Sequence, residues 1–160
     1  MKDLTSDTAK RLFDRLGDVT AGMLMTDPGT HIPMSHYADA DEGVLWFITA
    51  EGTAAHQAAI EKRESHFLVA DQGAKLYADI SGQLQAVTDP ATLDDLWSRV
   101  AGAWFDEGRE DPSVRLLRFV PARAEVWLTE GGAKFLYEIT RANLDSDHTP
   151  DVGEHEVITF

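Results

Sequence analysis

Residues 19–50 read VTAGMLMTDPGTHIPMSHYADADEGVLWFITA. Val19 to Thr26 has the composition of a strand, and Asp27-Pro28-Gly29 supplies turn chemistry. His31 to Tyr37 is then the returning strand. Pro33 suits an edge or a bulge, because proline has no N–H to give to a ladder. Asp39 to Gly43 turns the chain again, and Gly43 to Ala50 (GVLWFITA) reads as a strand buried on both faces. Two hairpins in succession build an antiparallel sheet.

Working outward, Ala9, Leu12, Phe13 and Leu16 recur at helical spacing, which predicts a helix from Asp7 to Leu16 stopped by Gly17. After the double hairpin, Thr53 to Arg63 (TAAHQAAIEKR) is a short helix with Thr53 as its N-cap. His66 to Ala70 and Lys75 to Val87 are strands, and Gly82 marks a bulge or sharp bend in the second. Asp89-Pro90 starts a helix, and Leu93, Leu96, Trp97, Val100 and Trp104 place one face of it as far as Phe105. A long strand region from Val114 to Thr129, broken at Pro121, a helix from Ala133 to Leu144 and a short segment from Glu156 to Phe160 complete the chain. About six strands with interspersed helices and no βαβα alternation exclude a dinucleotide-binding doubly wound sheet and favour a small barrel. No composition shift or linker divides residues 1–160, so one domain is expected.

Composition narrows the chemistry. The 28 acidic residues outnumber the 14 basic ones, giving a formal charge of −14 with no basic cluster, which argues against nucleic acid and anionic membranes as partners. No cysteine is present, so disulfides, thiolate metal sites and a cysteine nucleophile are excluded. The six histidines form no HExxH or HxxxH pattern, and no metal site is expected. The N-terminal stretch lacks the apolar core of a signal peptide, which makes the cytoplasm the expected compartment. Asp106, Glu107, Glu110 and Asp111 read as a solvated acidic loop or as a carboxylate pair. Residues 16–61 contain no lysine or arginine.

Four blocks carry a family likeness: Pro33-Met34, Leu45 to Thr49 (LWFIT), Ser81 to Asp89 (SGQLQAVTD) and Trp104 to Arg118 (WFDEGREDPSVRLLR). With Glu125 to Trp127 added, the chain resembles the general stress protein 26 branch of the pyridoxamine 5′-phosphate oxidase-like, FMN-binding split barrels from about Val19 to Trp127. The resemblance implies a mainly β fold with helices, a six-stranded antiparallel Greek-key split β-barrel. It also implies a homodimer holding FMN between subunits (FAD and F420 are the other candidates) and flavin-dependent oxidoreductase chemistry in stress physiology, with no catalytic side chain identified. The cofactor-binding positions it implies are His31, Ile32, Pro33 and Met34; Trp46, Phe47, Ile48 and Thr49; and Thr53, Ala54, Ala55 and His56. Trp104 and Phe105 would cover the ring from the neighbouring subunit.

The chain departs from this pattern where charge matters. The family commonly places arginine just before the PM pair and lysine near the start of the following helix, both suited to a phosphate dianion. Here Ile32 and Ala55 or His56 stand in those places. Thr49, Thr53 and backbone N–H groups at the helix start remain as ligands, with His31 and His56 as donors when protonated. Lys75, Arg115 or Arg118 would have to fold in to restore charge. The other reading is a cofactor-free split-barrel dimer serving as a binding or interaction module; Trp46, Phe47 and Ile48 are then plain core.

Overall fold

The computed structural model describes residues 6–151 and 153–160, apart from the side chains of residues 99, 100 and 132. Helix α1 (Asp7–Leu16) starts on Ser6, whose hydroxyl accepts the Ala9 N–H at 2.9 Å, and it buries the expected Ala9, Leu12, Phe13 and Leu16. Strands β1 (Gly22–Asp27) and β2 (Thr30–Met34) form the first hairpin, and β3 (Tyr37–Asp39) and β4 (Val44–Ala50) the second. Next come α2 (Ala54–Glu61), β5 (Glu64–Asp71), β6 (Leu76–Val87), α3 (Pro90–Leu96) and α4 (Arg99–Gly102). The chain finishes with β7 (Val114–Thr129), α5 (Gly132–Leu144) and β8 (Gly153–Thr159).

All strand pairs are antiparallel, in the order β2-β1-β5-β6-β7-β4-β3, with β8 beside β7. The six expected strands are β1, β2, β4, β5, β6 and β7. The end of the predicted His31–Tyr37 strand instead becomes β3, and the terminal segment extends into β8. Pro33 sits on an edge strand, as its missing N–H requires.

The sheet has to curl. Laid flat, its two edge strands would stand about 29 Å apart at the usual spacing of ~4.8 Å. Yet β2 and β3, at opposite ends of the order, are joined only by Ser35 and His36, a link that spans about 11 Å at most. The linker therefore works as a seam that closes the split barrel. His36 fastens it: its Nε2–H donates to the Leu16 carbonyl at 2.8 Å, and its ring lies 5.0 Å from that of Phe67.

Strand β7 is the spine. Its first part pairs with β4 and its last part with β8, while β6 runs along the other edge throughout. Leu117 and Phe119 face the core in the first part, but Ala124, Val126 and Leu128 do so in the second. The parity changes because Gly82 of β6 pairs with Pro121 while Ser81 pairs with Arg123, leaving Ala122 as the extra residue of a bulge. Gly82 is required there: a Cβ would lie 2.2 Å from the Val120 carbonyl oxygen.

One element departs from the sequence pattern. The spacing predicts a single helix from Asp89 to Phe105, whereas the backbone turns extended at Trp97 and Ser98 starts α4 by accepting the Ala101 N–H at 3.3 Å. A serine that caps a new helix competes with continuation of the old one. Leu93 and Leu96 consequently pack on the outer side of β4, whereas Trp97 turns to Phe105 at 5.7 Å. The expected inward position of Val100 falls outside the described side chains.

Candidate functional site

The two faces of β4 decide which of the expected residues can act together. Leu45 and Phe47 point into the barrel, where Phe47 packs edge-on against Phe67 and Phe119 at 5.2 and 6.3 Å. Val44, Trp46 and Ile48 point outward beneath α3. Thr49 shares the parity of Phe47, so it stands at the inner end of the strand where α2 begins.

There Thr53 caps α2. Its hydroxyl donates to the Ala50 carbonyl at 3.0 Å, accepts the His56 N–H at 3.3 Å, and lies 2.8 Å from the Thr49 hydroxyl. The one proton of Thr53 is already given to Ala50, so Thr49 donates in the contact between the two hydroxyls. His56 folds back on the same turn: its Nδ1 accepts the Gly52 N–H at 3.1 Å, which leaves the proton on Nε2. Thr49, Thr53 and His56 are thus brought together. Ala55 is wholly buried in the core and Ala54 half-buried at the first helical position, so both shape the helix start rather than offer a polar group.

Opposite Thr49 on the ladder stands Arg115. Its position follows from the Asp-Pro turn before β7. Asp111 accepts the Ser113 hydroxyl and N–H at 2.7 and 2.9 Å, bonds that hold its carboxyl below the usual carboxylate range. The Ser113 carbonyl in turn takes the Glu51 N–H at 2.7 Å, tying the β4–α2 loop to the start of β7. The Arg115 guanidinium donates to the carbonyls of Pro112 and Val114, each at 2.8 Å, and meets Glu51 at 3.2 Å.

The remaining expected positions lie apart from this cluster in their side-chain directions. On β2, Ile32 and Met34 pack against the barrel core, while His31 and Pro33 are exposed. Trp46 has a polar partner that the sequence reading did not give it, Asp39, which accepts its indole N–H at 3.3 Å. Arg118 lies over the Trp46 ring at 6.0 Å, on the outer face. Trp104 is 82% exposed, whereas its neighbour Phe105 is 8% exposed against Trp97. A cleft of about 380 Å³ opens between β3 and α3, lined by Tyr37, Trp46 and Leu96 with Asp39, Asp41 and Asp95. Three carboxylates and no lysine or arginine in its lining make it a poor place for a phosphate.

Among the described residues no group of three histidine or acidic side chains could hold a metal, and no helix is long and apolar enough to cross a membrane. The residues at the Thr49 end fit the phosphate of a flavin mononucleotide through the first-turn N–H groups of α2, an arginine whose partner is an exposed carboxylate, and the Thr49 hydroxyl, whose proton can turn from Thr53 to an anion.

A curled antiparallel barrel closed by a two-residue seam, with a threonine-capped helix at one end of it, defines a split-barrel protein. The chain belongs to the pyridoxamine 5′-phosphate oxidase-like family, whose model matches residues 7–151. It is similar to a structure provisionally named general stress protein 26 from Jannaschia sp. CCS1, at 48% identity over 96% of this chain and 99% of that one, with a TM-score of 0.87. It is also similar to a general stress FMN/FAD binding protein from Xanthomonas citri, at 31% identity over 78% and 90% of the two chains, with a TM-score of 0.68. The general stress protein 26 of Bacillus anthracis shares the fold at 15% identity, covering 76% and 94%, with a TM-score of 0.65. No curated protein matches.

Proposed function

We propose that this chain is a flavin-binding member of the general stress branch, working as a homodimer in an oxidoreductase reaction, with FMN held by its phosphate at the start of α2. The observation that carries the reading is the Thr49–Thr53 hydroxyl pair at 2.8 Å on the first turn of a helix, opposite Arg115 on the ladder. A helix start offers N–H donors and the positive end of the peptide dipoles to an anion. The 31% identity to a protein named for FMN/FAD binding supports it.

When bound, the flavin supplies the electron or hydride transfer. The chain's own part is to bind, orient and shield. The Thr49 hydroxyl turns its proton from Thr53 to the phosphate, beside the first-turn N–H groups of α2, while Thr53 keeps its own proton on Ala50; exposed His31 and Pro33 on β2 offer edge backbone to the ring; and Trp104, too exposed for an isolated subunit, covers apolar surface contributed by a second copy. No side chain is assigned as acid or base.

The alternative, a cofactor-free dimer acting as a binding module, draws on one observation: Arg115 already has an internal counter-charge in Glu51. Titration with FMN, FAD and F420 separates the two. Saturable binding of FMN with a flavin spectral shift supports the first reading, and no binding of any of the three overturns it.

A further inference from the structure

A phosphate-binding end without the cations usually placed there raises the question of what neutralises the dianion, and the ladder supplies an answer. Resting on the flavin reading above, we propose that Arg115 is the cation that receives the phosphate, and that Glu51 is the internal carboxylate it releases when the phosphate arrives.

Three features of the fold support this exchange. Arg115 is the cross-strand partner of Thr49 and so shares its face of the sheet, at the end where α2 begins. One guanidinium nitrogen is fixed by two carbonyls at 2.8 Å, which presets the plane of the fork and leaves the other nitrogen facing Glu51 at 3.2 Å. Glu51 itself is divided: its backbone is pinned to Ser113 at 2.7 Å, while its side chain is 63% exposed and free to swing into water without disturbing the turn. An exposed ion pair of this kind holds its partner by about fivefold at most, whereas a charge-assisted bond to phosphate is worth about tenfold to a hundredfold. The exchange therefore runs toward the ligand.

The other basic side chains near these elements are engaged or point elsewhere. Lys62 closes the far end of α2, about 13–14 Å along the helix from Thr53. Arg63 is paired with Asp27 and Glu61, and Arg118 lies on the outer face over Trp46 with Glu42 beside it. Lys75 meets the opposite end of β7, about 50 Å of strand from Val114.

Riboflavin lacks the phosphate and keeps the ring, so comparing it with FMN isolates this contact. Fluorescence titrations of the full chain with both ligands are expected to show Arg115→Ala weakening FMN tenfold or more while riboflavin changes less than twofold. Retained riboflavin binding also reports that the variant is folded. Glu51→Gln, which removes the competing charge, is expected to tighten FMN severalfold and leave riboflavin unchanged. An Arg115→Ala variant that weakens both ligands alike, or neither, overturns the proposal, as does a Glu51→Gln variant that weakens FMN. A wild-type chain that takes up neither ligand overturns the flavin reading itself, and this proposal with it.

Discussion

An arginine meets each end of β7, one from α1 and one from the strand itself, and the two are used differently. At the end where β7 meets Lys75, the Arg15 guanidinium donates to the carbonyls of Lys75 and Thr129 at 2.7 and 3.3 Å, and thereby ties α1 to the sheet. At the end that meets Thr49, Arg115 also binds two carbonyls, but a second guanidinium nitrogen faces an exposed surface carboxylate. The first arginine is committed to the fold. The second has a partner that an incoming anion can replace. The lesson is that the number of cations near a site says less than what each is bonded to.

The comparison can be broken first at the hinge between the two ends. Gly82→Ala puts a Cβ 2.2 Å from the Val120 carbonyl, and overpacking of that severity costs about 3 kcal/mol. A thermal melt is expected to fall by about 6–12 °C; a change under 2 °C would mean that the bulge is not what sets the parity of β7.

A smaller effect comes from the seam. Burial pushes His36 below its ordinary 6.5, and its Nδ1 has no hydrogen-bond partner. The unfolded chain therefore takes up this proton at a higher pH than the folded one. His36 contributes fully above pH 6.5, and that contribution is lost as pH falls toward the folded-state value, at up to about 1.4 kcal/mol per pH unit. Denaturation curves for wild type and His36→Leu should converge on acidification, and parallel curves would refute the assignment.

Thr53→Ala removes the cap of α2 and the partner of Thr49, and is expected to lower stability by about 1 kcal/mol in urea and to weaken FMN binding. The smallest effect is expected at the far end of the spine: Lys75→Ala should leave FMN affinity within twofold.

Much of this architecture was legible in the chain itself, because local chemistry sets it. Thr53 and Asp89 cap helices where expected, Pro33 lies on an edge strand, and Gly82 marks the bulge. The break at Trp97 was not legible, since a continuous apolar stripe hid the capping ability of Ser98. The candidate site divides in the same way. Thr49 and Thr53, four residues apart, are readable as neighbours. Arg115 reaches them only through the register of β4 against β7, a pairing across more than sixty positions that no local pattern encodes. The family motif places a cation at Ile32, and there the partly buried isoleucine side chain packs against the edge of the core, so this position gives no positive charge to the site.

The most direct test of the flavin assignment is a crystal structure of the chain grown with excess FMN. The account predicts phosphate density against the Thr49 and Thr53 hydroxyls, with the Arg115 guanidinium turned from Glu51 onto the phosphate. Phosphate density elsewhere, for instance in the acidic cleft beside Trp46, or an Arg115–Glu51 pair left unchanged beside bound FMN, would contradict it.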